Sequence, residues 1–231
     1  MSTARAVLFD LDGTLVDTAG DLGAALYVAC DHFSIERPGY DDARRAVANG
    51  GAGLIARGFP DSDEARRKAA LEILLTHYAS NIADRSSLYP ALPELLETFK
   101  QQQVPWGVVT NKPEALTRPL LDALSIQPTR NCIVGGDSLM TRKPDPAPLV
   151  YAAGLLGVLP HHCIYVGDHK RDIDAARAAN MRTIAAAYGY VAHDDDPSDW
   201  DADHCVQESG ALQQLLTDCA VLLAPDSVRH A

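Results

Sequence analysis

The sequence predicts an α/β fold, a doubly wound parallel sheet with an α-helical cap inserted after the first strand. Three observations lead there. Short apolar runs rich in β-branched residues recur without in/out alternation, the pattern of strands buried on both faces. Helical patterns separate these runs, as in a parallel sheet built from strand–helix–strand units. One long stretch after the first run carries helical patterns only.

Taken in order, the first strand is Ala6-Val7-Leu8-Phe9. From Asp17 to Ser87 two helical stripes stand out, Leu22, Ala25, Leu26 and Ala29, then Leu71, Leu74, Leu75 and Tyr78. A segment this long exceeds a simple crossover, so residues 17–87 are expected to form a cap whose two crossings act as hinges. Residues 1–16 and 88–231 then make the catalytic core, Rossmann-like in its winding. Its further strands are Trp106-Gly107-Val108-Val109, Cys132-Ile133-Val134, Cys163-Ile164-Tyr165-Val166 and Thr183-Ile184-Ala185-Ala186. Between them, the proline-rich start at 144–148 marks a helix whose inward stripe is Leu149, Ala152, Ala153 and Leu156. The acidic run Asp194-Asp195-Asp196-Pro197, continuing to Asp203, reads as a solvated loop.

Composition narrows the function classes. The chain has 231 residues, 47% of them hydrophobic and 22% charged, which fits an ordinary globular protein. A net charge of −11 repels polyphosphate backbones and anionic lipid, so neither nucleic acid nor a membrane is expected as a partner. The five cysteines, Cys30, Cys132, Cys163, Cys205 and Cys219, form no CxxC pair and read as reduced core residues in a cytoplasmic protein. No apolar run reaches the ~18 residues of a membrane span, and Asp10 interrupts the first apolar run before a signal-peptide core could form.

The chemistry-bearing residues fall at strand ends. In an open α/β sheet the ligand crevice lies beyond the carboxyl ends of the strands. The first strand runs into Asp10-Leu11-Asp12-Gly13-Thr14, the second core strand into Thr110-Asn111-Lys112, and the fourth into Gly167-Asp168-His169-Lys170-Arg171-Asp172. Arg142-Lys143-Pro144 places cations just before a helix start. Each piece alone serves equally as a turn or a helix cap. All four in this order, at the ends of one sheet, are hard to produce by turn requirements. His161 and His162 point different ways and suit a solvated turn, while His169 falls near the site without being a ligand.

On these four motifs the chain resembles the haloacid dehalogenase superfamily along its whole length. The resemblance implies that Asp10 is a nucleophile attacking phosphorus and Asp12 the general acid and base. It also implies a required Mg2+, held by Asp10, the backbone carbonyl of Asp12 and Asp168, with Asp172 reaching the metal through water or supporting the residues that hold it. Thr110 and the amides of Asn111 and Gly13 would hold phosphate oxygens, and Lys143 would offset the charge shared by nucleophile and phosphate. The physical chemistry agrees: a phosphate ester repels an anionic nucleophile, so the site needs a hard cation, a lysine and oriented donors. An aspartate at position 12 suits an oxygen leaving group, which needs a proton, and not a halide. That leaves a phosphatase or a phosphomutase, with a non-catalytic binding protein on the same fold as a third reading.

The chain looks most like the phosphoglycolate phosphatase group, and its segment Tyr188-Gly189-Tyr190 with the acidic run and Trp200 resembles the N-acetylmuramic acid 6-phosphate phosphatases within it. The expected partner is therefore a small phosphorylated metabolite carrying a carboxylate, bound by a monomer or homodimer. Asn49, Gly50 and the glycines after them resemble the cap loop that faces the active site. Arg57, a turn later, could meet a carboxylate bidentately, or stand as a surface helix residue.

Overall fold

The computed structural model describes residues 5–218. At its centre six parallel strands form one sheet. Ala6–Phe9 (β1) lies between Trp106–Val109 (β4) and Cys163–Gly167 (β6); Ile133–Val134 (β5) flanks β4, while Arg182–Ala186 (β7) and His204–Val206 (β8) continue beyond β6. The first five agree with the strands read from the sequence to within a residue or two. The edge strand β8 was not anticipated, because His-Cys-Val carries too short an apolar signal.

The missing in/out alternation has a simple cause. Along β1 the side chains do alternate, but both faces are covered. Val7 and Phe9 join a cluster with Leu95 and Phe99 of Leu92–Gln101 (α5), Leu120 and Leu121 of Glu114–Ala123 (α6), and Leu212 and Leu216 of Ser209–Asp218 (α9). Ala6 and Leu8 pack the other way, against Leu149, Ala152, Ala153 and Leu156 of Ala147–Leu156 (α7) and Ala175 and Ala176 of Lys170–Ala178 (α8). Residues pointing both up and down are thus removed from water, and the run reads as continuously apolar.

Strand order fixes the site. The chain winds from β1 outward through β4 to β5, then returns to β6 on the other side of β1 and continues to β8. The winding reverses between β1 and β6, and at such a switch point the loops part at the carboxyl ends to leave a crevice. Asp10 and Asp168 stand on its two sides.

The cap leaves the core through Val16–Asp17 (β2) and returns through Ser87–Leu88 (β3), which pair antiparallel, Val16 with Leu88 and Asp17 with Ser87. Between them Ala19–His32 (α1), Tyr40–Ala46 (α2), Gly50–Gly58 (α3) and Glu64–Ser80 (α4) pack around their own cluster. The stripe expected on α1 is buried throughout. On α4 the inward stripe is Ala70, Leu74 and Tyr78, with Leu71 half-buried against the same cluster, while Leu75 is exposed. The buried carboxylate of Asp21 accepts from the Arg85 and Ser86 amides and the Ser86 hydroxyl, tying α1 to the returning chain.

Cys30, Cys132 and Cys163 are buried free thiols, but Cys205 is exposed on β8, the edge of the sheet among the described residues. Cys219 lies outside the described residues. The acidic run is less idle than a solvated loop: Asp195 accepts from the Trp200 indole, Asp196 caps a short 3-10 turn, and Asp203 bonds Thr183 on β7. No helix among the described residues is long and apolar enough to cross a membrane.

Candidate active site

Four strand ends converge on one buried ammonium. Lys143 reaches from the loop before α7 to place Nζ 3.0 Å from Oδ1 of Asp10 and 2.7 Å from Oδ1 of Asp172. It also donates to the Val109 carbonyl and the Tyr165 hydroxyl, at 3.0 and 2.8 Å. Its backbone is clamped by the Asn111 side chain, which accepts from the Lys143 amide and donates to the Lys143 carbonyl. Burial alone would favour neutral lysine, but Asp10 and Asp172 outweigh it and raise the pKa, keeping the ammonium charged.

Asp10, Asp168 and Asp172 are buried, and each offers an oxygen within 4.8 Å of the others. Burial works against ionised Asp10, yet the Lys143 charge and the Leu11 amide, 2.7 Å from Oδ1, hold its carboxyl below the usual value. The other two go the opposite way. Burial, followed by the charges of Asp10 and Asp172, pushes Asp168 up to about 8. Burial pushes Asp172 up to about 6, against the pull of Lys143. Three buried carboxylates with one ammonium in contact are short of positive charge, and their donors are all hard oxygens, so the cluster could hold a divalent metal ion.

The backbone is shaped around these carboxylates. Gly13 has φ +87°, and a Cβ there would lie 2.1 Å from Oδ2 of Asp168; at Gly189 a Cβ would lie 2.3 Å from the Asp168 Cβ. Thr14 donates to Oδ1 of Asp168 and the Tyr190 amide to Oδ2, at 2.9 and 2.8 Å. Asp172 closes the capping box of α8, accepting from the His169 amide while His169 Nδ1 accepts from Arg171. Burial and the nearby Arg171 charge lower His169 to about 4, so it is a neutral helix cap.

Asp12 stands apart from this cluster. Its carboxylate meets Lys112, with Nζ at 3.0 and 3.2 Å from its two oxygens, and accepts from the Thr18 hydroxyl at 2.8 Å. Lys112 is buried and lies over the ring of Tyr78 from cap helix α4, 4.4 Å from its centroid. The Tyr190 hydroxyl accepts from the Thr18 and Ala19 amides and donates to Asp17, so a core residue caps the first cap helix at the hinge. Arg44 of α2 stacks on the same ring and donates to the Gly189 carbonyl.

Of the residues singled out from sequence, the structure gathers Asp10, Asp12, Thr110, Asn111, Lys143, Asp168 and Asp172 at one end of the sheet. Thr110 ends β4, its amide bonded to Val134 and its hydroxyl accepting from Lys112. Gly13 is there too, but its amide donates to the Val16 carbonyl. The turn takes the donor expected to hold a phosphate oxygen, and Gly13 serves by having no side chain. Arg57 is not gathered in: it pairs with Asp42 on the exposed side of the cap, in a cleft lined by Arg37, Pro60 and Arg66. Its expected carboxylate is thus supplied by the protein itself. Asn49 and Gly50 are exposed at the cap edge, one and two residues past Ala48, whose carbonyl accepts from Arg171 of the core.

Four residues given no role from sequence belong here: Thr14, Lys112, Arg171 and Tyr190. Lys112 and Arg171 sat inside quoted motifs, and Tyr190 inside the Tyr-Gly-Tyr segment, so the signal was adjacency to a motif.

A family profile described as haloacid dehalogenase-like hydrolase matches residues 7–186. The chain is 39% identical over 212 residues to a phosphoglycolate phosphatase of Xanthomonas campestris, covering 92% of this chain and 96% of that one. It is 36% identical over 217 residues to an N-acetylmuramic acid 6-phosphate phosphatase of Pseudomonas putida, again covering 92% and 96%. Among solved structures, a predicted phosphoglycolate phosphatase from Haemophilus somnus aligns with a TM-score of 0.81 at 28% identity, over 94% of this chain and 99% of the other.

Proposed function

The chain belongs to the haloacid dehalogenase-like hydrolase family, and from that premise we propose a magnesium-dependent phosphatase. It hydrolyses a small phosphomonoester, phosphoglycolate or N-acetylmuramic acid 6-phosphate, through an aspartyl-phosphate on Asp10. The observation that carries this reading is the buried, ionised Asp10 at the switch point, 3.0 Å from Lys143 and within a cluster of three carboxylates.

Asp10, Asp168 and Asp172, with the Asp12 carbonyl, would hold Mg2+, which when bound supplies charge neutralisation for the phosphoryl group. Asp10 attacks phosphorus as the bond to the alkoxide oxygen breaks. Asp12, with its side chain outside the carboxylate cluster, protonates that oxygen and then takes a proton from the water that splits the aspartyl-phosphate. Thr110 and the Asn111 amide hold phosphoryl oxygens, while Lys143 offsets the negative charge gathered at Asp10. Residues 17–87 close over the core as the cap, with β2 and β3 as the hinge. The buried free thiols support a cytoplasmic setting.

The test is phosphate release from phosphoglycolate, N-acetylmuramic acid 6-phosphate and simple sugar phosphates with Mg2+. Asp10→Asn keeps the shape and removes the nucleophile, so turnover should fall by more than a thousandfold while thermal unfolding stays cooperative. Turnover within tenfold of wild type removes Asp10 from the nucleophile's role.

A further inference from the structure

Lys112 is a buried cation beside the acid that faces the leaving group, and the phosphate-binding motifs do not use it. Both its Asp12 contacts run to the carboxylate that must deliver the proton. In the arrangement seen, that carboxylate is held toward Thr18 at the hinge, away from Asp10. To reach an oxygen leaving from phosphorus above Asp10, the Asp12 side chain must turn away from Lys112. The ammonium would then be left in a buried position with no anion against it among the described residues, only the ring and hydroxyl of Tyr78, a costly state unless another anion takes the place of Asp12. A second observation points to a ligand at the same spot. The Tyr78 hydroxyl is fully buried and, among the described residues, makes no well-formed hydrogen bond, its one polar neighbour being Lys112 itself, so it has an open place for an oxygen that also meets Lys112.

We propose that Lys112, with the Tyr78 hydroxyl, is the subsite for a carboxylate carried by the substrate's alcohol: this carboxylate takes over Lys112, and Asp12, freed of the ion pair, picks up a proton from solvent and turns to deliver it to the leaving oxygen. The inference rests on the phosphatase reading for the position of the leaving group. It also separates the two candidate substrates. Lys112 contacts the leaving-group acid itself, so an anion that replaces Asp12 there has to lie close to the ester oxygen, as in 2-phosphoglycolate. In N-acetylmuramic acid 6-phosphate the carboxylate is on a lactyl ether several bonds from the phosphate and does not meet this requirement. Recognition and proton delivery become one event: an ester lacking the carboxylate leaves Lys112 holding Asp12 back.

The experiment measures binding by calorimetry in the catalytically silent Asp10→Asn protein with Mg2+, comparing 2-phosphoglycolate with ethyl phosphate. The expected preference for 2-phosphoglycolate is tenfold or more, and Lys112→Met should shrink it to threefold or less. In the enzyme with Asp10 intact, the same change should raise KM for 2-phosphoglycolate at least tenfold more than KM for ethyl phosphate. Tyr78→Phe removes one oxygen only and should cut the preference severalfold, which decides the matter if Lys112→Met unfolds. Equal weakening of both esters would make Lys112 a holder of Asp12 alone and overturn the subsite, as would a preference unchanged in both variants. Failure of wild type to release phosphate from any ester would overturn the phosphatase reading, whereas the binding ratios still report on Lys112.

Discussion

Replacing Lys143 by Met removes the one ammonium in contact with the carboxylate cluster while nearly keeping its volume. In the native site Nζ makes two ion pairs, at 3.0 and 2.7 Å, and two further hydrogen bonds, all out of water. Taking one partner from such a buried set leaves the other charges uncompensated, at a cost of about 3–5 kcal/mol. For a chain this long each kcal/mol moves Tm by roughly 2–4 °C, so the metal-free variant should melt about 6–20 °C below wild type at pH 8. The loss should shrink at low pH. Lys143 holds Asp10 below its ordinary value of 3.8, so its contribution through Asp10 is present above that value and fades as pH falls through the native pKa. It should also shrink in millimolar Mg2+, which would supply positive charge to the same oxygens. The assay is thermal or urea unfolding of both proteins in chelator and in Mg2+, at pH 3 and pH 8. A destabilisation under about 1 kcal/mol at pH 8 in chelator, well below the cost of breaking a buried pair, would refute the charge-balance argument.

Metal affinity should follow the raised carboxyls. Asp168 and Asp172 move from 3.8 up to about 8 and about 6, so the native metal-free state holds protons that the unfolded chain has released. Their contribution to stability is complete below the unfolded value near 3.8 and declines as pH rises to about 8. Mg2+ should bind more tightly from pH 6 to pH 8 and displace protons, which calorimetry in two buffers of different ionisation enthalpy reads directly; binding without proton release contradicts the assignment. Arg57→Ala should leave KM for phosphoglycolate within twofold in steady-state kinetics, because its guanidinium is engaged by Asp42 on the outer cap; a tenfold rise would return Arg57 to the substrate site.

How much of this was legible from sequence depends on the range of the determining contact. Strand β1 and the inward stripe of α1 could be read because burial repeats with the local period of the backbone. On α4 the period was right and the phase was not: Ala70 faces inward and Leu75 outward, a choice set by the helices packed against α4, which no pattern within α4 records. Asp10, Thr110, Lys143 and Asp168 were found because the strand-end rule converts four local patterns into one place. Arg57 and Lys112 show the limit. Both are cations near motifs, and nothing in the spacing says which one turns inward. What selects Lys112 is strand adjacency. It is the third residue after the end of β4, as Asp12 is the third after the end of β1, and β4 is hydrogen-bonded beside β1 in parallel. Turns beyond neighbouring parallel strands open into the same crevice, so an acid and a cation 100 residues apart meet, although the register, Phe9 beside Val108, sets Lys112 one residue beyond the counterpart of Asp12. Five of the core strands were readable; their order was not, and the partner of the proposed acid depends on that order.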